Sequence, residues 1–258
     1  MMTTVRSGVA LAMMASACSG PADGNGRAGL AASLEPRTFV SESVEGWTLV
    51  SGTEVRISFV AGELRASAGC NSISGPYSLE GDRLSLPGYG VTGMGCDPAR
   101  HAQDERLREL LSAKPVLELS EPRLTMTSAS SKLVLLDREV AHPDRPLVGT
   151  LWKGDAIIDG GSVSGGFGMA FSIEFGADGQ VTVDSGCEVG DGQYSVDGAT
   201  IAFSSLTYQG APCTEPSVQT VANKVMAVLD GGPVSHDIEE VTLRITKGDR
   251  GLMFRAAN

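Results

Sequence analysis

Five cysteines are the residues of this sequence whose type and spacing most clearly suggest chemistry. Four of them form two pairs, Cys70 with Cys96 and Cys187 with Cys213, and the members of each pair are 26 positions apart. In an oxidising compartment such pairs form disulfides. Reduced cysteines can instead serve as small apolar residues buried on neighbouring strands. We expect two disulfides, and the reduced alternative stays open.

The other reactive residue types do not combine into a recognisable catalytic or metal-binding pattern. None of the three histidines, His101, His142 and His236, has a counterpart when the two parts of the chain that carry the cysteine pairs are compared. We expect them on the surface, in a helix, a linker and a loop. A zinc site needs more ligands than two cysteines, and a hydrolase triad needs a nucleophile with its base. The sequence therefore predicts no catalytic residue, no metal and no cofactor, and we expect that the protein is not an enzyme.

The first residues carry the pattern of an export signal. One arginine, Arg6, precedes a short apolar run, and Ala-Ser-Ala leads directly into Cys18. This pattern resembles a bacterial lipoprotein box, which implies a signal peptide over residues 1–17 and lipidation of Cys18. Cleavage after Ala17 with Cys18 left as a free thiol is the alternative. Residues 18–40 are rich in Gly, Ala, Ser and Pro, so we expect a flexible, lipid-anchored tether.

The charge balance limits the class of partner. The chain has 20 basic and 31 acidic residues, a formal net charge of −11. Nucleic acids and anionic lipid surfaces require clustered Lys and Arg, so neither is expected as a partner. We expect an envelope protein as partner, membrane attachment only through Cys18, and a location in the cell envelope at the outer membrane, facing the periplasm.

The chain repeats itself. The segment "GCNSISGPYSLEGDRLSL" from Gly69 aligns without a gap with "GCEVGDGQYSVDGATIAF" from Gly186, and the second cysteine of each pair continues the register. Trp47 and Trp152 lie near the start of the two copies. Such internal similarity indicates tandem domains. We place domain one at 41–139, a linker at 140–146 and domain two at 147–258.

Both copies show the same order of predicted elements. Apolar residues alternate in 55–59 and 171–175, which is typical of half-buried strands, and Asp-Gly or Glu-Gly pairs mark hairpin turns. Asp97-Pro98 predicts a helix start in copy one, and Thr214 is the expected cap in copy two. Strands then resume. The expected fold is α+β, each domain being a curved antiparallel sheet or partly closed β-barrel packed on one α-helix.

The predicted helix of copy one has a strongly charged side. Residues 100–109, "RHAQDERLRE", allow i,i+4 ion pairs of Asp104 with Arg100 and with Arg108. We interpret this side as a solvated surface. Trp47 and Trp152 are interpreted as core residues first and as ligand-contacting residues second.

Two segments of copy one resemble the signature of the META-domain family, the HslJ-like proteins of bacterial envelopes. They are "AGCN" with the following Gly75 and Tyr77, and "TGMGC". Copy two departs from the signature at Glu188, which replaces the asparagine, and at "GAPC", so it is assigned through the repeat. The family implies a small sheet-and-helix domain linked to stress response, motility or virulence, and supplies no established catalytic residue. The motif residues are Gly69, Cys70, Asn71, Gly75, Tyr77, Thr92, Met94 and Cys96.

Three functions are compatible with these observations. The first is a non-enzymatic envelope lipoprotein that acts through protein contacts in envelope maintenance or stress response. The second is a small hydrophobic ligand-binding protein that uses the mouth of a barrel near Trp47 or Trp152. The third is an inhibitor of a secreted protease or lytic enzyme that presents the glycine-rich loop 159–168.

Overall fold

A computed structural model describes residues 25–165, 170–211 and 213–257, with side chains described from residue 29 onward. The chain divides between Asp137 and Arg138 into two compact units, and each is described by itself. In the part of the chain that is described, no helix has the length and apolar character needed to cross a membrane.

The described part of the first unit is a curved antiparallel sheet with two helices. Its elements within the described residues are α1 (Asn25–Leu34), β1 (Arg37–Glu45), β2 (Arg56–Val60), β3 (Glu63–Ser67), β4 (Ser72–Pro76), β5 (Ser78–Glu80), β6 (Arg83–Ser85), β7 (Gly90–Val91), α2 (Pro98–Ser112), β8 (Val116–Ser120), β9 (Arg123–Thr127) and β10 (Lys132–Asp137).

The ten strands follow the order β5-β6-β8-β9-β10-β1-β2-β3-β4-β7. Tyr77 alone separates β4 from β5, so one nearly continuous stretch pairs with β3 at one end and with β6 at the other. This shared stretch bends the sheet back on itself. Alternate residues of the strands, such as Ile57 and Phe59 on β2, point inward and are fully buried.

The second unit repeats this plan and closes its ring of strands. Strands β11 and β19 pair antiparallel, with Trp152 opposite Ala256, and the sheet order is β12-β11-β13-β14-β15-β16-β17-β18-β19. The elements are α3 (Arg138–Ala141), β11 (Leu151–Asp159), β12 (Ser162–Gly165), β13 (Ser172–Phe175), β14 (Gln180–Asp184), β15 (Val189–Asp197), β16 (Thr200–Gln209), α4 (Pro216–Leu229), β17 (Val234–Glu239), β18 (Thr242–Lys247) and β19 (Arg250–Ala256).

One long helix packs against the core of each unit after the second cysteine. Leu107, Leu110 and Leu111 of α2 belong to the first core, and Val225 and Leu229 of α4 belong to the second. The predicted fold class is confirmed: tandem domains, each a curved antiparallel sheet with a helix.

The two helices begin differently. Asp97 caps α2, because its carboxylate accepts hydrogen bonds from the N–H groups of Ala99 and Arg100, both at 3.0 Å. The cap of α4 is Glu215, whose side chain makes no capping hydrogen bond. The expected cap at Thr214 is therefore wrong, because the helix opens with Pro216 and the residue directly before it takes the cap position.

The first domain begins before residue 41. Leu34 and Phe39 are fully buried in its core, and the Arg37 guanidinium binds both oxygens of Glu121, at 2.5 and 2.7 Å. Residues 25–40, expected in a flexible tether, are thus helix α1 and the start of β1, because this stretch supplies a central strand of the sheet. The expected signal peptide 1–17 and Cys18 lie outside the described residues.

The expected linker 140–146 belongs to the second unit. Its end is attached to the β17–β18 turn: the N–H of Arg145 donates to Glu240 O, and the N–H of Glu240 donates to the Asp144 carboxylate, both at 2.7 Å. The boundary between the two units therefore lies between Asp137 and Arg138, before the predicted linker.

Candidate functional site

The cysteines pair as predicted. Cys70 is bonded to Cys96 and Cys187 to Cys213, so the alternative of reduced, buried cysteines is wrong for this structure. In domain one the bond joins the residues just before β4 to the residue before the cap of α2. It thereby fixes the segment Thr92–Cys96, which we call the motif loop.

Asn71 connects three parts of domain one. Its side chain is buried, and its Oδ1 accepts hydrogen bonds from the Met94 N–H at 2.8 Å and the Thr92 hydroxyl at 3.2 Å. Its backbone N–H and its Nδ2 both donate to Asp104 Oδ2, at 2.8 and 3.1 Å. Asn71 therefore ties the start of β4 to the motif loop and to helix α2.

Gln103 makes a second buried polar connection from the same helix. It is only 2% exposed. Its Nε2 donates to the Thr53 hydroxyl at 2.8 Å and to the carbonyl of Ala68, and its Oε1 accepts from the Val50 N–H. Since all of these groups are satisfied, α2 is held in one position against the sheet.

The interpretation of residues 100–109 as a wholly solvated side is wrong at Gln103 and Asp104. Asp104 binds Asn71, and the ion pairs that form are at i,i+3, between Glu105 and Arg108 and between Arg106 and Glu109. The charge pattern does not reveal the contacts of Gln103 and Asp104, because both residues fit an exposed polar side of a helix equally well. One signal was available: Gln103 lies four positions before Leu107, on the apolar side of the helix.

The motif loop exposes apolar side chains at its tip and at its entry. Met94 is 59% exposed, and Val91, on the two-residue edge strand β7, is 51% exposed. Their backbone is held by the disulfide, by Asn71, and by a hydrogen bond from the Thr92 N–H to Ser72 O at 3.0 Å. The result is a short apolar surface on a fixed loop.

The motif glycines allow backbones to approach closely. A Cβ on Gly75 would lie 2.3 Å from the Gly88 oxygen, and one on Gly192 would lie 2.9 Å from Leu206 Cα. Gly69 and Gly186 have φ of 112° and 102°, which L side chains rarely adopt. The glycines of the motif are structural in both copies.

The motif tyrosines have equivalent rings and different hydrogen-bond partners. Tyr77 packs edge-on against Phe59 at 5.1 Å, and Tyr194 packs edge-on against Phe175 at 4.9 Å. The Tyr77 hydroxyl donates to Glu35 Oε1 at 2.7 Å, whereas that of Tyr194 donates to Gly176 O at 2.8 Å.

These hydrogen bonds shift the pKa values of the groups involved. The Tyr77 hydroxyl and the Gly62 N–H both stabilise the carboxylate of Glu35, and so lower its pKa. Burial, together with Glu35, raises the pKa of Tyr77 well above its ordinary value. Burial also raises the pKa of Tyr194. Glu35 therefore attaches the N-terminal part of domain one in a pH-dependent way, both to Tyr77, between β4 and β5, and to Gly62 in the β2–β3 turn.

Three potential metal ligands meet beside the motif loop. One ligand atom each of Cys70, His101 and Asp104 lies within 4.8 Å of the others. His101 Nε2 accepts a hydrogen bond from the Cys96 N–H at 3.3 Å. Asp104 Oδ1 is buried and has no hydrogen-bond partner among the described residues. The sequence pattern missed this cluster because His101 comes from the helix, 31 positions after Cys70.

The same place in domain two lacks this chemistry. When the prolines that open α2 and α4 are aligned, Gln219 replaces His101 and the buried Ala222 replaces Asp104. Glu188, in place of Asn71, bonds through its backbone: its N–H donates to Ser185 Oγ at 3.2 Å. The polar connection around Asn71 is a property of domain one.

The two tryptophans are placed as core residues. Trp152 is fully buried, and its Nε1 donates to Leu147 O at 3.1 Å. Trp47 packs against the first core while only partly buried. Trp152 has no surface to offer a ligand, so its possible binding role is removed by packing.

A cleft of about 320 Å³ lies elsewhere in domain two, between α4, β11 and β19. Ile157 and Val228 form part of its apolar wall. Lys224 Nζ binds Asp159 Oδ2 at 2.9 Å at its edge and lowers the pKa of that carboxyl, with a smaller contribution from Arg250. Of the glycine-rich loop 159–168, residues 166–168 lie outside the described part, and 162–165 form strand β12 on β11. His236, expected in a loop, lies in strand β17 because it pairs with Ile245.

The comparison with protein-family models identifies the class of protein. The META domain model matches residues 32–141 and again residues 145–258. The chain belongs to the META-domain family, with two tandem copies. The second match includes the divergent copy, which the repeat had assigned to the family. A search of curated proteins found no match.

Solved structures resemble parts of the chain. A protein solved by NMR is 28% identical over 41% of this chain and 92% of its own, with a TM-score of 0.36. Another NMR structure, from Burkholderia xenovorans, is 16% identical over 50% of this chain and 98% of its own, with a TM-score of 0.37. A DUF4847 family protein from Bacteroides vulgatus is 14% identical over 42% and 93%, with a TM-score of 0.32.

Proposed function

We propose that this protein is a non-enzymatic, exported envelope lipoprotein whose META domains act through protein contacts in envelope maintenance or stress response. The observation that carries the proposal is how the family motif is used in domain one. The Asn71 side chain binds Asp104 and the motif loop, and two apolar side chains are exposed there, Met94 in the loop and Val91 directly before it. The motif thus serves to hold a surface rather than a reacting group.

A fixed loop with exposed apolar side chains suits protein recognition. Binding by a loop that is already ordered loses less conformational entropy than binding by a mobile one. Loops on a rigid scaffold commonly carry binding residues. Met94 is unbranched and adapts to an apolar pocket of a partner.

The proposal is tested by purifying the full chain from cross-linked cell envelopes. We expect the wild type to capture a stoichiometric protein partner that the double variant Val91→Asp/Met94→Asp loses, because a carboxylate would be buried in the interface. Val60→Asp is the matched control, since Val60 is 49% exposed in the same domain, close to the 51% of Val91. Equal capture by the double variant would refute the assignment of the contact to the motif loop.

The anchor is a separate part of the proposal. Replacing Cys18 with Ser should move the protein from the membrane fraction to the soluble fraction, because lipidation needs the thiol. Ser19 after Cys18 fits sorting to the outer membrane, by analogy with enteric bacteria. A wild-type protein found wholly in the soluble fraction would contradict the anchor.

The cleft of domain two favours a second candidate function, the binding of a small hydrophobic ligand. Its apolar wall with Lys224 and Arg250 at the edge suits an acyl chain that ends in a carboxylate. Dodecanoate should raise the melting temperature of the wild type more than dodecanol does, and Lys224→Ala should remove the difference. Lys153→Ala, at an exposed position of the same domain, is the control and should keep the difference between the two compounds. Equal shifts for both compounds would exclude recognition of the carboxylate.

A further inference from the structure

We propose that Cys70, Cys96, His101 and Asp104 form a divalent-metal site of the zinc type when the Cys70–Cys96 disulfide is reduced. Ligand atoms of Cys70, His101 and Asp104 lie within 4.8 Å of one another, and Cys96 is bonded to Cys70. Around a tetrahedral zinc ion, ligand atoms stand about 2.0–2.3 Å from the metal, and thus about 3–4 Å from each other. Reduction lets the Cys70 and Cys96 side chains rotate independently, and the proposed site requires that the four groups then adopt these distances.

Asp104 is arranged as a metal ligand with its own supporting hydrogen bonds. Asn71 donates twice to Oδ2, which fixes the orientation of the carboxylate. Oδ1 is buried and has no hydrogen-bond partner among the described residues. A carboxylate with one oxygen held by a neighbour and the other free matches the way proteins orient ligating carboxylates. It also borders a cavity of about 180 Å³ that His101 and Arg108 help to line.

The cysteine pair of domain two provides an internal contrast. Cys187 and Cys213 have the same sequence separation of 26. The positions of His101 and Asp104 are taken there by Gln219 and Ala222. An amide and a methyl group cannot replace an imidazole and a carboxylate as zinc ligands, so at the equivalent described positions reduction of the second pair supplies the two thiols alone.

A dithiol is the reductant that opens the Cys70–Cys96 bond. The dithiol gives two electrons and two protons to the Cys70–Cys96 bond, which becomes two thiols, while the dithiol becomes a disulfide. Binding of the metal then releases one proton from each thiol, because the ligand is the thiolate. His101 binds as the neutral imidazole through the nitrogen that now accepts from the Cys96 N–H. The site would hold the motif loop by a metal when the covalent bond is absent.

The test is a Co²⁺ titration of the full chain carrying Cys18→Ser, which removes the fifth cysteine. The protein is reduced by an immobilised dithiol under anaerobic conditions and then separated from it. We expect one Co²⁺ per reduced chain, with the thiolate-to-cobalt absorption and the visible bands of a tetrahedral site. The oxidised chain should show neither, and added Zn²⁺ should displace the cobalt.

Matched variants assign the ligands. His101→Ala, at an exposed position, and Asp104→Asn should each weaken binding by at least tenfold, a loss in the range seen when groups around a metal are removed. Cys187→Ser/Cys213→Ser should leave the affinity and the spectrum unchanged. The proposal is overturned if the reduced chain binds no cobalt, or if His101→Ala binds it as tightly as the parent. Neither result bears on capture of a protein partner by the oxidised motif loop, so this proposal and the proposed function fail separately.

Discussion

Asn71 and Asp104 are joined twice, through the backbone N–H and the side-chain Nδ2 of Asn71, which lie 2.8 and 3.1 Å from the same carboxylate oxygen. The two residues are 33 positions apart in the chain, since Asn71 lies directly before β4 and Asp104 lies on α2. The family motif of domain one is therefore completed by a residue outside it. In domain two Glu188 and Ala222 take these places, and the second copy is built without this connection.

Replacing Asn71 with Ala should destabilise domain one by about 2 kcal/mol, because the Met94 N–H and the Asp104 carboxylate each lose a buried partner. Glu188→Ala, at the equivalent place in domain two, should change stability by less than about 0.5 kcal/mol. Native-state hydrogen exchange in the central strands measures the free energy of unfolding of each domain separately. A single melting curve of a two-domain chain does not separate the two values. Equal losses in the two variants would mean that the Asn71 side chain contributes nothing special.

The Tyr77–Glu35 pair should make domain one sensitive to acid. The pKa of Glu35 in the folded state lies below its ordinary value of 4.5. Its contribution to stability is therefore complete above that value, and is lost as the pH falls through the lower, folded-state pKa. Tyr77→Phe should lower the urea midpoint of domain one at pH 7. The difference in midpoint between this variant and the wild type should become smaller towards pH 3.

Tyr194→Phe is the control for this pH dependence. The Tyr194 hydroxyl donates to a backbone carbonyl, which does not titrate. Its loss should lower the midpoint of domain two by the same amount at pH 7 and at pH 3. If the difference in urea midpoint between Tyr77→Phe and the wild type stayed constant from pH 7 to pH 3, Glu35 would not be the group responsible for the pH dependence.

Gly75→Ala should destabilise domain one by about 1–3 kcal/mol, the usual cost of forcing atoms into a packed position. The new methyl group would lie 2.3 Å from the Gly88 oxygen and 2.9 Å from Tyr89 Cα, and both are backbone atoms that cannot simply rotate away. Gly88→Ala is the control, since a Cβ there meets nothing within 4 Å. If the two variants unfold at the same urea concentration, close approach is not the reason for glycine at position 75.

Local patterns predicted the elements that depend on local physics. The alternation in 55–59 became β2, the Asp97-Pro98 pair became the start of α2, and equal cysteine spacing became two disulfides. Each of these signals lies within a few residues or is repeated in the second copy. The repeat was informative because a chance pattern is rarely found twice in register.

Contacts that depend on the folded chain were not predictable in this way. Residues before 41 have the composition of a tether, yet Leu34, Phe39 and Val40 are buried, because the sheet needs β1 between β10 and β2. Asp104 has the same sequence context whether it faces solvent or Asn71. Its role depends on how α2 is rotated about its axis, which Gln103 and Leu107 determine through their burial.

The first turn of α2 depends on the cap at Asp97. Asp97→Ala should loosen the first turn of α2, because the N–H groups of Ala99 and Arg100 lose their acceptor. These hydrogen bonds, above all the one from Arg100, lower the pKa of Asp97, so the loss should shrink as acid protonates the wild-type carboxyl. Asp97→Asn should retain most of the protection, because an amide oxygen also accepts.

Hydrogen exchange of the peptide that contains the first turn measures the effect, and the motif loop should exchange faster with it because Cys96 directly precedes the cap. Glu215→Ala in domain two is the matched control, since the Glu215 side chain makes no capping bond. We expect no change in exchange at the start of α4. If exchange rose equally in both helices, the carboxylate of Asp97 would not be what stabilises the start of α2.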